Sequence, residues 1–255
     1  MQAKKSLGQN FLHDPKILQK IADFAHIDRG DTVLEIGPGE GALTKLLLEK
    51  AHLVVAVEKD EQLAEALQTK FAEEIRERRL TIIAGDILEI ADPITHSAKY
   101  KLVGNIPYYI TGEIFRKFLE IDRQPESMTF VIQREVAERI MARDGKESIL
   151  SISIKAYGTP EYGGIIKAGS FAPKPQVDSA IIAVREISRA RFGKIREKRF
   201  FEILKRGFSH KRKLLCSNLG VSPQFLADFG INERARAENL TVQNWMHIAE
   251  HPQNR

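Results

Sequence analysis

The sequence predicts an α/β protein with a doubly wound, mostly parallel seven-stranded sheet, followed by a small all-α C-terminal domain. Short apolar runs rich in β-branched residues alternate with amphipathic stretches through most of the chain. This alternation is typical of parallel strands joined by helical crossovers that cover both faces of the sheet. Beyond about Ile187 the strand pattern stops and helical spacing dominates. We therefore expect one domain over residues 1–187 and a second over residues 188–255.

Seven apolar runs are the strand candidates of the first domain: residues 32–36, 53–57, 80–84, 101–104, 128–132, 163–167 and 179–185. Three intervening stretches have helical spacing: residues 41–50, 61–78 and 134–142. The run 148–157 fits either a strand or a buried helix, because its apolar residues satisfy both periods. Two prolines in Phe171–Pro175 indicate a rigid loop before the last strand. Four helices are expected in the second domain: residues 197–208, 213–219, 223–229 and 242–249.

The composition excludes several classes of protein. With 255 residues and 43% hydrophobic residues, the chain is neither disordered nor fibrous. No apolar run approaches the ~18 residues that span a bilayer, and no export signal is apparent, so we expect a cytoplasmic protein without a membrane partner. The single Cys216 cannot build a disulfide framework and lies in an apolar helical pattern, which favours a buried thiol. No Cys/His cluster has metal-ligand spacing, so we expect no metal.

The positive charge is concentrated at the end of the chain. Residues 185–255 contain 15 Lys and Arg against 7 Asp and Glu, whereas residues 1–184 contain 24 against 27. The net charge of +5 thus divides into a slightly acidic body and a basic appendage. Such asymmetry indicates a polyanionic partner, with a solvated helical surface as the alternative.

A glycine-rich turn, Gly37-Pro38-Gly39-Glu40-Gly41, lies between the first strand candidate and a helix. Glycines let a backbone approach a ligand closely, and the helix N-terminus offers free N–H groups. Glu58 ends the next strand, where a carboxylate can accept both hydroxyls of a ribose. Asp86 follows the third strand, where an acid can accept a hydrogen bond from an adenine amine, or can serve as a turn residue. These residues suit any cofactor that contains a nucleoside, including a dinucleotide.

The tetrapeptide Asn105-Ile106-Pro107-Tyr108 directly follows the fourth strand candidate. The side-chain carbonyl of Asn105 and a backbone carbonyl beside Pro107 are two acceptors that can hold the protons of an exocyclic aromatic amine and localise its lone pair. Tyr108 offers a stacking face for an extruded base. The pattern favours methyl transfer from a sulfonium donor, with a type I turn as the alternative.

Four motifs occur in an order that resembles the ribosomal RNA adenine dimethyltransferase family, whose members are class I, Rossmann-like methyltransferases: Lys5–Leu12, the Gly37 turn, Asn105–Tyr108 and Phe171–Ser179. The resemblance continues through residues 208–219 and covers nearly the whole chain. The segment Gly8–Leu12 is most similar to the branch that dimethylates two adjacent adenines near the 3′ end of small-subunit (16S) ribosomal RNA.

The resemblance implies S-adenosylmethionine as cofactor, with S-adenosylhomocysteine as product, and a role for each matching position. The implied cofactor-binding residues are Asn10 and Leu12 at the methionine end, Gly37 and Gly39 in the turn, Glu58 at the ribose, Asp86 at the adenine amine, and Asn105. The implied catalytic residues are Asn105, Pro107, Tyr108 and Phe171, with Tyr108 and Phe171 sandwiching the target adenine. A core role for Phe171 is the alternative.

The basic appendage is expected to bind RNA phosphates. The residues assigned to this role are Lys205, Arg206, Lys211, Arg212 and Lys213, and Lys4 and Lys5 are expected to extend the positive surface. His210 departs from the arginine-rich form expected at this position. The implied partner is small-subunit ribosomal RNA within an assembling 30S subunit, acted on by a monomer.

Three alternatives stay open at this point. The first is an adenine methylase of large-subunit (23S) ribosomal RNA that confers macrolide resistance. The second is a mainly non-catalytic ribosome-assembly or nucleic-acid-binding factor on the same scaffold. The third is a dehydrogenase with NAD at the Gly37 turn, which leaves Asn105–Tyr108 and the basic appendage unexplained.

Overall fold

The computed structural model describes residues 9–94 and 99–251. The chain forms two compact units, the first made of Met1–Ala137 with Glu161–Ile187 and the second of Glu138–Pro160 with Ser188–Arg255. The second unit therefore contains a segment, Glu138–Pro160, that the expected boundaries place in the first domain. This segment belongs to the second unit because it packs against residues distant in sequence. The Tyr157 ring lies 5.1 Å from the Phe192 ring and stacks at 5.9 Å on the Phe201 ring.

Nine strands form two sheets among the described residues: β1 (Phe11–Leu12), β2 (Thr32–Ile36), β3 (Leu53–Glu58), β4 (Leu80–Ala84), β5 (Lys101–Asn105), β6 (Ser127–Gln133), β7 (Thr159–Ile166), β8 (Phe171–Ala172) and β9 (Ser179–Arg185). The large sheet has seven strands in the order β4-β3-β2-β5-β6-β9-β7. The five neighbouring strands β4, β3, β2, β5 and β6 run parallel to one another, and β9 pairs antiparallel with β6. The expected seven-stranded, mostly parallel sheet is confirmed.

Eleven α-helices lie in the described part of the chain: α1 (Pro15–Phe24), α2 (Ala42–Lys50), α3 (Glu61–Lys70), α4 (Ala72–Arg76), α5 (Thr111–Glu120), α6 (Arg134–Met141), α7 (Ile149–Tyr157), α8 (Glu197–Gly207), α9 (Leu215–Leu219), α10 (Pro223–Ala227) and α11 (Val242–Glu250). No helix of these described ranges is long and apolar enough to cross a bilayer.

In two stretches the observed helices go beyond what periodicity predicts. The ambiguous run 148–157 is helix α7, because Ser148 and Ser151 cap each other's backbone N–H groups at its start. The stretch expected as one helix over 61–78 is two helices that meet at Phe71. A Cβ on Gly41 would lie 2.6 Å from the Phe71 ring, so the close fit of that buried ring against the glycine turn accompanies the break.

The strand order reverses beside β2. From β2 the chain proceeds to β3 and β4 at one edge, then returns to the other side of β2 as β5. The carboxyl ends of β2 and β5 are neighbours, with Ile36 in register with Gly104. Such a reversal leaves a crevice outside the carboxyl ends of the strands, where open α/β sheets bind their ligands.

The second unit has its own core. Trp245 is buried and stacks on Phe208 at 5.6 Å. A Cβ on Gly207 would lie 2.3 Å from the indole, so a larger residue at this position would displace the ring. Cys216 is a buried free thiol, as the apolar pattern around it indicates.

Candidate active site

The Gly37 turn connects β2 to α2 at the point where the strand order reverses. Gly37, Gly39 and Gly41 have φ angles of 66°, 57° and 78°, the left-handed region that favours glycine. A Cβ on Gly39 would lie 2.9 Å from the Phe11 ring, and one on Gly37 would lie 3.6 Å from the Asn105 carbonyl oxygen. The glycines thus allow two distant segments to close around the turn.

Glu58 is held at the end of β3 by the turn. Its carboxylate accepts a 3.0 Å hydrogen bond from the Gly39 N–H and a 2.9 Å bond from the Asp60 N–H. Burial raises the pKa of Glu58, and the two backbone donors partly offset this effect. Each carboxylate oxygen keeps further lone-pair capacity, so Glu58 is placed to accept ribose hydroxyls.

Asp86 follows β4 and forms an ion pair with Lys59 over 2.6 Å. Its other oxygen accepts the Leu88 N–H at 2.9 Å. Burial would raise the pKa of Asp86, but the bonds from Lys59 and Leu88 outweigh it, and the pKa lies below its ordinary value. Asp86 is therefore an ionised acceptor.

Two adjoining cavities connect these residues with the Asn105 motif. The first, the Asp86 cavity, is lined by residues that include Gly37, Glu58, Lys59, Asp86 and Tyr109. The second, the Asn105 cavity, is lined by residues that include Asn10, Leu12, Glu35, Gly37, Asn105, Pro107 and Tyr108. Gln9, Gly37 and Pro107 line both cavities.

Asn105 ends β5 with its amide oriented by the N-terminal segment. Its Nδ2 donates a 2.9 Å hydrogen bond to the Asn10 carbonyl, and its Oδ1 accepts no hydrogen bond among the described residues. The Pro107 carbonyl accepts the Ile110 N–H. The acceptor beside the proline that suits a target amine is therefore the Ile106 carbonyl, together with Asn105 Oδ1.

Tyr108 follows the proline in a short 3₁₀ turn that precedes α5. Its hydroxyl shares a 2.7 Å hydrogen bond with the Ser179 hydroxyl. Burial raises the pKa of Tyr108, so the phenol is neutral at physiological pH. The bond to Ser179, a fully buried residue of β9, restricts the orientation of the ring.

Phe171 lies in the two-stranded sheet that β8 forms with β1, opposite Leu12. It is 5% exposed, belongs to the core cluster of the first unit, and is absent from the lining of both cavities. Among the described residues no ring contact joins it to Tyr108. The residue lies where the N-terminal segment pairs with β8, and its stacking role stays a prediction.

Glu35 is a residue of the site to which the sequence patterns assign no role. It lies in β2 with 1% exposure and lines the Asn105 cavity, and its Oε2 has no hydrogen-bond partner. Burial raises the pKa of Glu35 to about 8; the Thr44 hydroxyl partly offsets this effect, and the charge of Glu58 adds to it. A single acid inside the apolar run Thr32–Ile36 is a visible anomaly, because buried carboxylates require a partner.

Gln9 was also left unassigned, and it bridges the two cavities. Its Nε2 donates a 3.2 Å hydrogen bond to the Asp60 carboxylate, which ties the N-terminal segment to the start of α3. The neighbouring Lys4, Lys5 and Gly8 of the sequence motif lie outside the described residues.

The residues lining the Asn105 cavity carry no positive charge. The ionisable side chains among them are Glu35, Glu40 and Tyr108. Within the described ranges no group of His, Cys, Asp and Glu is placed to hold a metal ion. A cavity without positive charge, with one buried carboxyl oxygen lacking a partner and Glu58 nearby, fits a cofactor that is both a nucleoside and a cation.

The basic residues assigned to RNA binding lie in the second unit. Lys205, Lys211, Arg212 and Lys213 are exposed. The loop between α8 and α9 carries the last three, and Asn218 holds it by donating to the carbonyls of Gly207 at 2.6 Å and His210 at 3.1 Å. Arg206 differs from the others, because its guanidinium donates to the Leu219 carbonyl at the end of α9.

Comparison with known proteins adds the family context. A family model described as ribosomal RNA adenine dimethylase matches residues 1–254. A ribosomal RNA small subunit methyltransferase A from Dehalococcoides mccartyi is 39% identical over 255 residues, covering 96% of this chain and 87% of that protein. A protein of the same description from Fusobacterium nucleatum is 38% identical and is covered to 96%, as is this chain.

Two solved structures are similar to most of the chain. A dimethyladenosine transferase from Plasmodium falciparum superposes with a TM-score of 0.79 at 25% identity, covering 92% of this chain and 94% of that one. A 23S ribosomal RNA methyltransferase, ErmE, superposes with a TM-score of 0.77 at 26% identity, covering 94% and 98%.

Proposed function

The chain belongs to the ribosomal RNA adenine dimethylase family, and from this premise we propose that it dimethylates the 6-amino groups of two adjacent adenines near the 3′ end of small-subunit ribosomal RNA. S-Adenosylmethionine is its methyl donor. The curated relatives described as small subunit methyltransferases support the choice of subunit. The observation that carries the chemistry is the Asn105 side chain, which lines the cavity and is oriented by its hydrogen bond to Asn10.

The residues that line the Asp86 cavity suit the adenosine part of the cofactor. In this proposal Glu58 accepts the ribose hydroxyls, and the ionised Asp86 accepts from the adenine amine. The turn at Gly37 and Gly39 allows close backbone approach. Asn10 and Leu12 cover the methionine end, since both line the Asn105 cavity. When bound, the cofactor supplies a methyl group on a positively charged sulfur, which is electrophilic without any metal or base.

Asn105 Oδ1 and the Ile106 carbonyl hold the two protons of the target amine, with Pro107 keeping the second carbonyl in place. This draws the nitrogen lone pair out of conjugation and aims it at the methyl carbon. The bound cofactor would supply the methyl group and its sulfur would keep the electron pair of the C–S bond, while the amine nitrogen provides the electron pair of the new N–C bond. The amine then loses a proton to solvent. Tyr108 stacks on the extruded base, with its ring orientation restricted by Ser179.

The basic loop of the second unit provides the affinity for RNA in this scheme. Lys211, Arg212 and Lys213 neutralise phosphates without reading sequence. Lys205 adds to this surface. We propose that the substrate is the RNA within an assembling 30S subunit and that the enzyme acts in the cytoplasm as a monomer.

The test uses purified protein, labelled S-adenosylmethionine and small ribosomal subunits that lack the modification. We expect up to four labelled methyl groups per subunit, all in N6,N6-dimethyladenosine at two adjacent positions near the 3′ end. Fully methylated subunits are the matched control and should accept no label. Absence of label from undermethylated subunits, alongside an active reference enzyme, would contradict the proposal.

A second candidate substrate is large-subunit RNA, supported by the similarity to the 23S ribosomal RNA methyltransferase. The same assay with 50S subunits and free 23S RNA separates the two. Label in a single 23S adenine, with none in the small subunit, would establish this alternative. Undetectable label in all RNAs, with tight binding to immature subunits, would instead indicate an assembly factor.

A further inference from the structure

Glu35 is a buried carboxyl group that the proposed mechanism leaves without a task. It lies in the middle of the parallel sheet, in register with Ala56 of β3 and Val103 of β5. It is 1% exposed, its Oε2 has no hydrogen-bond partner, and the residue lines the Asn105 cavity. An unpartnered polar atom in such a place is costly, which points to a partner that arrives with a ligand.

The register places Glu35 and Asn105 on the same face of the sheet. Side chains of paired residues in a sheet share a face, and residues two apart along a strand share it too. Glu35 pairs with Val103, and Asn105 follows two residues later on the same strand. The carboxyl and the Asn105 amide therefore lie on one face, about 7 Å apart along the strand direction.

The surroundings of Glu35 contain acids but no base. From β3, the Glu58 carboxylate acts on it electrostatically. At the cavity, Glu40 and Tyr108 are the other ionisable residues of the lining. From α1 and the start of α2, the residues that line the cavity are apolar: Leu18, Ile21, Ala42 and Leu43. The Thr44 hydroxyl of α2 also acts on the carboxyl and lowers its pKa, but less than burial raises it. Burial accordingly favours the protonated carboxyl, and only an incoming positive charge changes this balance.

We propose that Glu35 is a specificity-determining residue that distinguishes the cationic methyl donor from the neutral product by ionising against the former and taking a proton back with the latter. The inference rests on the proposed use of S-adenosylmethionine. Transfer removes the sulfonium charge and leaves a thioether. The carboxylate then has no cation beside it and recovers a proton from solvent. The protonated carboxyl does not weaken binding of the product, but it gives no preference for the donor.

The geometry gives this proposal a thermodynamic signature. Burial raises the pKa of Glu35 to about 8, so the empty site holds a proton at neutral pH. Binding of the donor releases this proton, whereas binding of S-adenosylhomocysteine does not. The affinity for S-adenosylmethionine divided by the affinity for S-adenosylhomocysteine consequently rises about tenfold per pH unit below the pKa of Glu35, and levels off above it.

Calorimetric titration of the full chain in buffers of different ionisation enthalpy, from pH 6 to 8.5, measures the protons released on binding. The probes are S-adenosylmethionine, S-adenosylhomocysteine and sinefungin, an unreactive analogue with a cationic amine in place of the sulfonium methyl. At pH 6.5 we expect both cations to release about one more proton than S-adenosylhomocysteine.

Two variants locate the effect. Glu35→Gln keeps the shape of the protonated side chain, and it should abolish the difference between cationic and neutral ligands as well as its pH dependence. Glu40→Gln removes a carboxylate from the exposed rim of the same cavity and should leave the difference intact. Carbon-13 NMR titration of the Glu35 carboxyl in the wild type provides a measurement that needs no variant.

Equal proton release for all three ligands, or an NMR titration of Glu35 that the ligands leave unchanged, would overturn the inference while leaving the cofactor assignment in place. Failure of all three ligands to bind would instead count against the proposed function itself. Loss of the proton difference in Glu40→Gln as well as in Glu35→Gln would also overturn the assignment to Glu35.

Discussion

The Nδ2 atom of Asn105 donates a 2.9 Å hydrogen bond to the backbone carbonyl of Asn10, which lies 95 residues earlier in the chain. The bond fixes the amide of a residue that lines the cavity where the target amine is proposed to bind. The N-terminal segment is itself anchored by the pairing of Phe11 and Leu12 with Phe171 and Ala172. The orientation of the Asn105 amide, the proposed acceptor for the target amine, thus depends on a hydrogen bond between the N-terminal motif and the Asn105 motif.

Asn105→Ala removes the acceptor, and we expect methyl transfer to fall at least about 100-fold, in line with the loss of a preorganised polar group at a reacting centre. Asn105→Asp keeps acceptor oxygens but replaces the donor to the Asn10 carbonyl with a second acceptor, so it should also be impaired. Single-turnover rates, with cofactor affinity measured separately, check this. An Asn105→Asp variant with wild-type rates would show that the bond to Asn10 does not position the amide.

Tyr108 is expected to act through its ring rather than its hydroxyl. Tyr108→Phe loses only the bond to Ser179 and should reduce kcat/KM less than tenfold. Tyr108→Ala loses the stacking face, whose worth of about 1–3 kcal/mol corresponds to a loss of about 5- to 150-fold. Steady-state kinetics on undermethylated subunits decide between them. Equal losses in both variants would assign the role to the hydroxyl.

Glu35 makes the stability of the ligand-free protein depend on pH. Its pKa is about 8 in the folded protein against 4.5 for an unperturbed glutamate. The folded state therefore binds more protons than the unfolded state between these values, and stability is lost as the pH rises through this window. We expect Glu35→Gln to have a higher Tm than the wild type at pH 8.5, by a few degrees, and a similar Tm at pH 4.5. Thermal unfolding across this pH range gives the comparison, and a constant Tm difference would contradict the buried, protonated state.

The basic loop should control RNA affinity and its response to salt. Replacing Lys211, Arg212 and Lys213 by Ala is expected to weaken binding to the small subunit and to reduce the slope of log K against log salt by about 2 to 3, since each phosphate contact contributes about 0.7–0.9. Cofactor affinity should stay unchanged. Arg234→Ala, which removes an exposed charge elsewhere in the same unit, is the control. An unchanged slope in the triple variant would remove the loop from the RNA interface.

Arg206 should behave differently from its neighbour Lys205, although both were assigned to RNA binding. The Arg206 guanidinium donates to the carbonyl of Leu219, where it satisfies a free acceptor at a helix end. Arg206→Ala is expected to cost about 1 kcal/mol of stability, or about 2–4 °C in Tm for a chain of this size. Lys205→Ala should leave the Tm unchanged. Equal Tm values for the two variants would show that the Arg206 bond contributes no stability.

The pattern of the sequence was sufficient for the seven-stranded sheet and for the turn that follows β2. Strands such as Thr32–Ile36 appear as short apolar runs, and left-handed turns need glycine. Both features can therefore be predicted from neighbouring residues without knowledge of the fold. The order of acidic and amide residues at strand ends also follows from local pattern, because parallel strands deliver their carboxyl ends to one edge.

The tertiary structure decided what local pattern does not encode. The helix α7 was ambiguous by period, and the capping pair of Ser148 and Ser151 decides for the helix. Its segment, Glu138–Pro160, belongs to the second unit through aromatic contacts with residues some 40 positions away. Phe171 is buried in the core cluster of the first unit and lies in β8, which pairs with the N-terminal strand β1.

The same division holds for the chemistry of the site. Residue types and their spacing determined by themselves that a nucleoside cofactor and an exocyclic amine suit this chain. The orientation of the Asn105 amide, the carboxyl oxygen that is left without a partner, and the arginine that supports a helix end depend on distances between residues far apart in sequence. Burial and hydrogen bonding act through those distances, so only the folded chain sets the protonation of Glu35 and the task of Arg206.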